Sequence, residues 1–176
     1  MKLQLNLIKL ALAGACLLAG LSSGAAQSTI FNVPSTDVES PGKVYVEADF
    51  IMHYASYRDG GFQTYGPRVV VGLPGKTEVG VNLYYTRARP GEPIDIQPNF
   101  KWQFYENEKL GLAFATGVVI STPITRRRRG NTYAMAYALG SKTFSGNYGP
   151  RVTFGGYRLV GSFDDGTDKT GVILGL

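Results

Sequence analysis

The sequence predicts an all-β fold, an antiparallel up-and-down β-barrel of about eight strands. Apolar and polar residues alternate along many segments, as expected where successive side chains point to opposite faces of a strand. The connections between these segments alternate between long and very short, so the long ones gather at one end of the sheet. The predicted strands cover 43–54, 62–73, 76–87, 93–105, 110–121, 132–144, 148–162 and 169–176.

The N-terminus has the pattern of a secretory signal peptide, which we assign to residues 1–26. Lys2 and Lys9 give a positively charged start, the run 10–21 is apolar, and Gly24-Ala25-Ala26 supplies small residues for cleavage. A retained membrane anchor is the alternative, but the apolar run is shorter than the ~20 residues of a spanning helix.

Cys16 lies within the apolar run of this leader and is the only cysteine of the chain. Because Leu17-Leu18-Ala19 continues the run, we interpret Cys16 as leader sequence rather than as the lipid-modified first residue of a lipoprotein. The mature chain is then expected to contain no disulfide and no cysteine-ligated metal.

The basic character of the chain comes mainly from the leader and one loop. The formal net charge of +5 falls to +3 without Lys2 and Lys9, and to −1 without Arg126–Arg129 as well. A nucleic-acid binder would normally spread Lys and Arg over a face, so we expect no nucleic-acid partner.

Alternation is clearest in the first and fourth predicted strands. Each strand places charged or amide side chains on one parity and large apolar ones on the other. The polar sets are Lys43, Glu47, Asp49 and His53 in the first strand, and Asp95, Gln97, Asn99, Lys101 and Gln103 in the fourth. The opposite parities include Val44, Val46, Phe50, Phe100 and Trp102.

Two further strands alternate large side chains with small ones. In the fifth, Leu112, Phe114 and Val118 oppose Ala113, Ala115 and Gly117. In the sixth, Tyr133, Met135, Tyr137 and Leu139 oppose Ala134, Ala136, Ala138 and Gly140. We expect the large parity of both strands to face outward and the small parity to line a crowded interior.

The seventh predicted strand breaks the pattern, because Val152 and Phe154 share a parity with Arg158. A bulge at Gly155-Gly156 would turn Arg158 inward.

A five-residue motif occurs twice in the chain: Tyr148-Gly149-Pro150-Arg151-Val152 repeats Tyr65-Gly66-Pro67-Arg68-Val69. We interpret the repeat as two barrel rims with the same local requirement, although duplication of a hairpin is possible.

The apolar parity of these strands has two possible environments, lipid or a protein core. Strand lengths around 12 residues suit a tilted membrane-spanning strand, which needs ~9–11. Aromatic residues also gather near strand ends, as in the girdles of membrane barrels. They are Tyr54, Tyr84, Tyr85, Tyr133 and Phe163 toward the long loops, and Trp102, Phe104, Tyr105, Phe144 and Tyr148 toward the short turns.

Together the leader, the alternation and the loop asymmetry over residues 43–176 resemble bacterial outer-membrane β-barrels of the porin-like or transporter-like kind. The resemblance implies a location in the outer membrane and contact with its lipid, with lipopolysaccharide and with the barrel-insertion machinery. Residues 27–42 would be a periplasmic segment that either hangs free or enters the barrel. Such barrels usually end in an aromatic residue; Gly175-Leu176 departs from that, so a complete barrel and a fragment both stay open.

This reading predicts a passive transport or envelope-structural role without a cofactor. The candidate lumen lining is Lys43, Glu47, Asp49, His53, Asp95, Asn99 and Lys101. The candidate contacts for lipopolysaccharide phosphates are Arg126, Arg127, Arg128 and Arg129, because guanidinium groups bind phosphate bidentately.

Two other functions are open. His53, the only histidine, shares its parity with Asp49 and lies near Ser56, so a lumen-site enzyme is conceivable. We expect no enzyme, since the sequence contains no metal-ligand cluster and no nucleophile elbow. The other alternative is a soluble secreted β-domain that binds a partner.

Overall fold

A computed structural model gives the fold and describes residues 29–30, 33–88, 92–125, 130–144, 150–161 and 168–176. The predicted signal peptide, Arg126–Arg129, Tyr148 and Phe163 lie outside these residues. Two short strands, β1 (Thr29–Ile30) and β2 (Val33–Pro34), pair with each other.

The main sheet contains eight antiparallel strands, β3 to β10, and each pairs with the next along the chain. This confirms the all-β, up-and-down prediction. The strands are β3 (Val44–His53), β4 (Phe62–Leu73), β5 (Thr77–Arg87), β6 (Ile94–Asn107), β7 (Leu112–Pro123), β8 (Tyr133–Thr143), β9 (Arg151–Gly161) and β10 (Thr170–Gly175). Strands β3 and β10 lie at the two ends of the strand order.

Connections 74–76 and 108–111 are tight turns at one end of the sheet, which we call the short-turn end. The predicted turn at Ser145-Gly146-Asn147 lies outside the described residues. Strand β9 begins at Arg151 rather than near 148, and Pro150, which has no backbone N–H for the ladder, lies just before it. Among the described residues, helical structure consists of a 3-10 turn at Tyr57–Asp59, in the first long connection.

The two faces of the sheet differ sharply in strands β4 to β6. Arg68, Glu78 and Lys101 point inward and are 5%, 3% and 3% exposed. The residues between them point outward and remain exposed although they are apolar, among them Val69, Val81 and Phe100. The predicted polar and apolar parities of the first and fourth strands therefore correspond to the inward and outward faces.

Strand β8 reverses the predicted facing. Tyr137 and Leu139 are buried on the inward face together with Ile173 of β10, and Met135 packs against this cluster. The expectation that Met135 faces outward is therefore wrong. The register explains the reversal: inward-facing Gly117 and Ala115 of β7 lie opposite Tyr137 and Leu139, so small residues of β7 make room for large ones of β8.

The predicted bulge in β9 is absent. Positions 151–161 pair with β8 without a register shift, and Arg158 is exposed on the outward face opposite Ala136. Arg158 lies three residues from the long-loop end of β9, where solvent is within reach of its side chain. A register shift therefore was not needed to accommodate the charge.

Outward-facing aromatic residues form a cluster at each end of the sheet. Near the long loops, Tyr65 lies 5.0 Å from Phe50 and 6.2 Å from Tyr85, measured between ring centroids. Near the short turns, Trp102 lies 5.7 Å from Phe104, and Phe104 and Tyr105 lie 6.3 and 5.7 Å from Phe114.

Not every predicted aromatic position joins these clusters. Tyr84 and Tyr133 lie on the inward parities of β5 and β8, and Tyr54, 91% exposed, lies in a loop. Searched for spanning helices, the described residues contain none that is long and apolar enough to cross a membrane.

Candidate functional site

The candidate site is the polar inward face of β3 to β6 and the chain segment that crosses it. Strand pairing places Glu47 opposite Arg68 on adjacent strands, and Asp49 lies two residues further along β3. Arg68 Nη1 lies 3.0 Å from Glu47 Oε2, and Nη2 lies 3.7 Å from Asp49 Oδ2. Two predicted lining residues therefore share one arginine, whose single positive charge offsets one of their two negative charges.

A second ion pair lies one hairpin further on. Lys101 Nζ is 2.9 Å from Glu78 Oε1, and both side chains are less than 5% exposed, at 3% and 4%. The strands bring them together because Glu78 and Lys101 are cross-strand partners in the β5–β6 register. Burial of a charge is costly without a partner, so each side chain requires the other.

Uncharged polar side chains continue the inward face toward the long-loop end. Asn99 lies opposite Gly80, and its Nδ2 donates to Asn82 Oδ1 at 3.5 Å. Asp95 lies nearer the long loops on the same parity and is partly buried. A cavity of about 110 Å³ lies among residues of β4 to β8 and is lined by Arg68, Glu78, Asn82, Tyr84, Gln97, Asn99, Lys101 and Tyr137, with Pro34 at its edge.

Residues 35–42, which we call the strap, cross the inward face at the short-turn end. Gln103 of β6 donates to the Thr36 carbonyl at 3.1 Å, and the Glu39 N–H donates to Glu78 Oε2 of β5 at 2.8 Å. The Gly42 N–H then donates to the Gly72 carbonyl of β4 at 2.9 Å. The described part of the N-terminal segment therefore packs against the sheet.

The other end of the strap is held by Arg151, the first residue of β9. Its Nη1 lies 2.5 Å from Asp37 Oδ2, and its Nη2 donates to Thr36 and, at 2.9 Å, to Ser141 of β8. Thr36 and Ser141 side-chain oxygens are 2.6 Å apart. Arg151 thereby joins the strap to two strands.

Gly72 makes room for the strap at its C-terminal end. A Cβ atom at Gly72 would lie 2.2 Å from the Ser40 carbonyl oxygen and 2.4 Å from that of Glu39. Both atoms are backbone, so neither can move aside cheaply. A glycine is therefore needed where the strap passes over β4.

Two predicted lining residues lie apart from this site. Lys43 is exposed just before β3, at the point where the strap joins the sheet. His53 is exposed at the long-loop end, and its Nδ1 donates to the Gly60 carbonyl at 3.2 Å. The Ser56 hydroxyl donates to Asp59 at 2.5 Å. In the described part of the chain, His53 and Ser56 are thus bonded to different partners.

Sequence reasoning missed Arg68 and Glu78, the ion-pair partners of predicted lining residues, and it missed the bond between Arg151 and the strap. The repeated Pro-Arg-Val motif carried a signal that could have found two of them. Arg68 and Arg151 occupy equivalent places in the motif, and each forms an ion pair with an acidic residue on the inward side. Comparisons with protein-family models, with curated proteins and with solved structures find no match to this chain.

Proposed function

We propose that this protein is an outer-membrane β-barrel with an envelope-structural role. One observation carries the proposal: the middle of strands β4 to β6 buries charged side chains and exposes large apolar ones. Phe100 and Trp102 are 41% and 46% exposed, whereas Lys101 between them is 3% exposed. Water would favour the reverse arrangement, but a bilayer favours an apolar exterior around a polar interior.

The dimensions of the outward face support this proposal. On β5, Tyr85 belongs to one aromatic cluster, and Thr77, eight residues away, pairs with Trp102 of the other. Eight residues span about 27 Å along a strand, or about 20 Å along the axis of a barrel whose strands tilt by ~40°. That distance is close to the ~25 Å apolar band of outer-membrane barrels.

The strand order is suited to closure. Strands β3 and β10 are the first and last of eight alternating strands and therefore run antiparallel to each other. Pairing between them would leave no edge, which a barrel in lipid requires. In an eight-stranded barrel, side chains fill the interior, consistent with the ion pairs and the small cavity here.

In this proposal the short-turn end faces the periplasm, and the long loops, including Arg126–Arg129, face the cell exterior. The partners are then outer-membrane lipid, the phosphates of lipopolysaccharide, and the barrel-insertion machinery during assembly. The proposed role is non-catalytic. An unchanged profile of envelope lipids and peptides in a His53→Ala strain would support that part of the proposal.

Fractionation and detergent dependence test the proposal against a soluble secreted domain. We expect the mature protein to sediment with outer membranes, to resist carbonate extraction, and to require detergent for a single species in gel filtration. A monodisperse protein in detergent-free buffer would mean that the exposed apolar face is covered by protein, and would refute the membrane role.

Passive transport is the second candidate, favoured by the polar cavity that Asn82, Gln97 and Asn99 help to line. It requires an aqueous path past the Lys101–Glu78 pair and the strap. Conductance in planar bilayers tests it, with heat-denatured protein as the control. If the protein inserts into the bilayer with its strands formed but shows no conductance, the transport role is refuted and the structural role stands.

A further inference from the structure

The strap holds an acidic group that the ion pairs of the site do not use. Glu39 is 3% exposed, and its Oε1 accepts no hydrogen bond from the described part of the chain. Its backbone N–H donates to Glu78 Oε2, and the Glu78 carboxylate is close enough to raise the pKa of Glu39. A buried carboxylate is normally paired, hydrogen-bonded or protonated.

We propose that the strap is a proton-linked latch, docked when Glu39 is protonated and released from the inward face when Glu39 ionises. The latch rests on the proposed barrel for its location at the periplasmic mouth. Its release would uncover Gln103, Ser141 and the Glu78–Lys101 pair. Docking of the strap on the sheet does not depend on the membrane, because its contacts lie within the folded chain.

The charges around Glu39 set the direction of this linkage. Burial raises the pKa of Glu39 above its ordinary value of 4.5, and Glu78 of β5 and Asp37 of the strap raise it further. Lys101 of β6 acts in the opposite sense on the same pKa. Because the docked state binds the proton more tightly, docking is fully favourable below the ordinary pKa and weakens as pH rises toward the raised one.

The remaining contacts of the strap hold it on both sides of Glu39. Arg151 binds Asp37 and Thr36, and the Gly42 N–H is bonded to β4. Ionisation of Glu39 therefore weakens the docking of only the middle of the strap. We therefore expect graded loosening rather than unfolding of the sheet.

Thiol alkylation measures this loosening. Ser35 is 1% exposed within the strap, and Ser40 is exposed in the same segment. In a Cys16→Ser background, the Ser35→Cys variant reports undocking, and the Ser40→Cys variant corrects for the intrinsic pH dependence of thiol reactivity. Both are labelled with a maleimide in detergent micelles between about pH 5 and about pH 8, a range that begins above the ordinary pKa of a glutamate.

We expect the rate ratio of Ser35→Cys to Ser40→Cys to rise with pH, by about tenfold for each unit by which burial raises the Glu39 pKa. Adding the isosteric Glu39→Gln change should make the ratio independent of pH and keep it at the low-pH value. A flat ratio in the native background, or an unchanged slope with Glu39→Gln, would overturn the latch.

A disulfide lock gives a second test that does not depend on Glu39. The Thr36 and Ser141 oxygens are 2.6 Å apart, so the Thr36→Cys/Ser141→Cys pair is within disulfide reach. Protection of a strap peptide bond from protease should be pH-dependent when this pair is reduced and pH-independent when it is oxidised. Protection that varies with pH in the oxidised form would contradict the proposal. If the protein proves soluble without detergent, the membrane role fails but both measurements still decide the latch in buffer.

Discussion

The inward face of the sheet has a polar half and an apolar half. In β3 to β6 it holds Arg68 and Lys101 with their acidic partners. In β8 to β10 it holds Tyr137, Leu139 and Ile173, which pack together as a small core. One interior thus uses ion pairs on one side and apolar packing on the other, and the strap crosses the sheet from β4 to β9.

The apolar half also shows how two neighbouring strands share volume. Across the β7–β8 ladder a large residue lies opposite a small one at successive positions, such as Phe114 opposite Gly140 and Gly117 opposite Tyr137. Strand β7 points its large residues outward and β8 points them inward. Alternation therefore indicates that the side chains on the two faces of a strand differ in size. The neighbouring strand decides which face carries the large side chains.

The Lys101→Met variant should give the largest change, because it isolates the buried Glu78 charge in the polar half. We expect the free energy of unfolding in micelles to fall by about 3–5 kcal/mol, measured by urea titration. Lys101→Met with Glu78→Gln should recover much of the loss, since Gln retains an acceptor for the Glu39 N–H. Equal losses in the single and double variants would mean that charge isolation is not the cause.

The Val81→Arg variant tests whether lipid is the solvent outside the polar half. Val81 is 38% exposed near the middle of β5, where an outward arginine in a bilayer should cost about 2–4 kcal/mol of folding free energy. The matched Val160→Arg variant lies at the rim of β9 and should cost about 0–1 kcal/mol. Refolding in lipid vesicles measures both. Similar small values would indicate an aqueous exterior.

The Gly117→Ala variant tests the close fit of the apolar half. A Cβ atom there would lie 2.3 Å from Tyr137 Oη and 2.7 Å from the Phe100 carbonyl oxygen. We expect a loss of about 1–3 kcal/mol from overpacking. Gly156→Ala on the outward face, where the nearest atom is 3.3 Å from the added Cβ, is the control and should change stability far less.

The Glu106→Gln variant should have the smallest effect. It breaks the pair with Lys76, whose Nζ lies 2.7 Å from Glu106 Oε2, but the two side chains are 53% and 37% exposed. Solvent screens such a pair, so we expect a change below about 1 kcal/mol that shrinks further in high salt. A loss comparable to that of Lys101→Met would contradict the distinction between the buried face and the turn.

Much of the polar half could be predicted from the chain, whereas the apolar half could not. Alternation with large apolar residues predicts one face for the polar set, and the charged members of that set have few alternatives to the inward face. This set includes Glu47, Asp49, Asn99 and Lys101. The sequence predicts an outward Met135, because size alone does not distinguish two apolar environments. It also predicts a bulge in β9 for Arg158, which the strand accommodates near its end without one.

Local sequence was sufficient for the strands, their order and the inward facing of Glu47, Asp49 and Lys101, because a period of two and the turn residues act over short distances. It was not sufficient for Arg158, which faces outward. Pairing of Arg151 with Asp37, and of Glu39 with Glu78, depended on the folded chain. These contacts join residues 114 and 39 positions apart, and no local pattern specifies which strands a crossing segment will meet. The space that Gly72 leaves over β4 is one feature of the folded sheet that admits the strap.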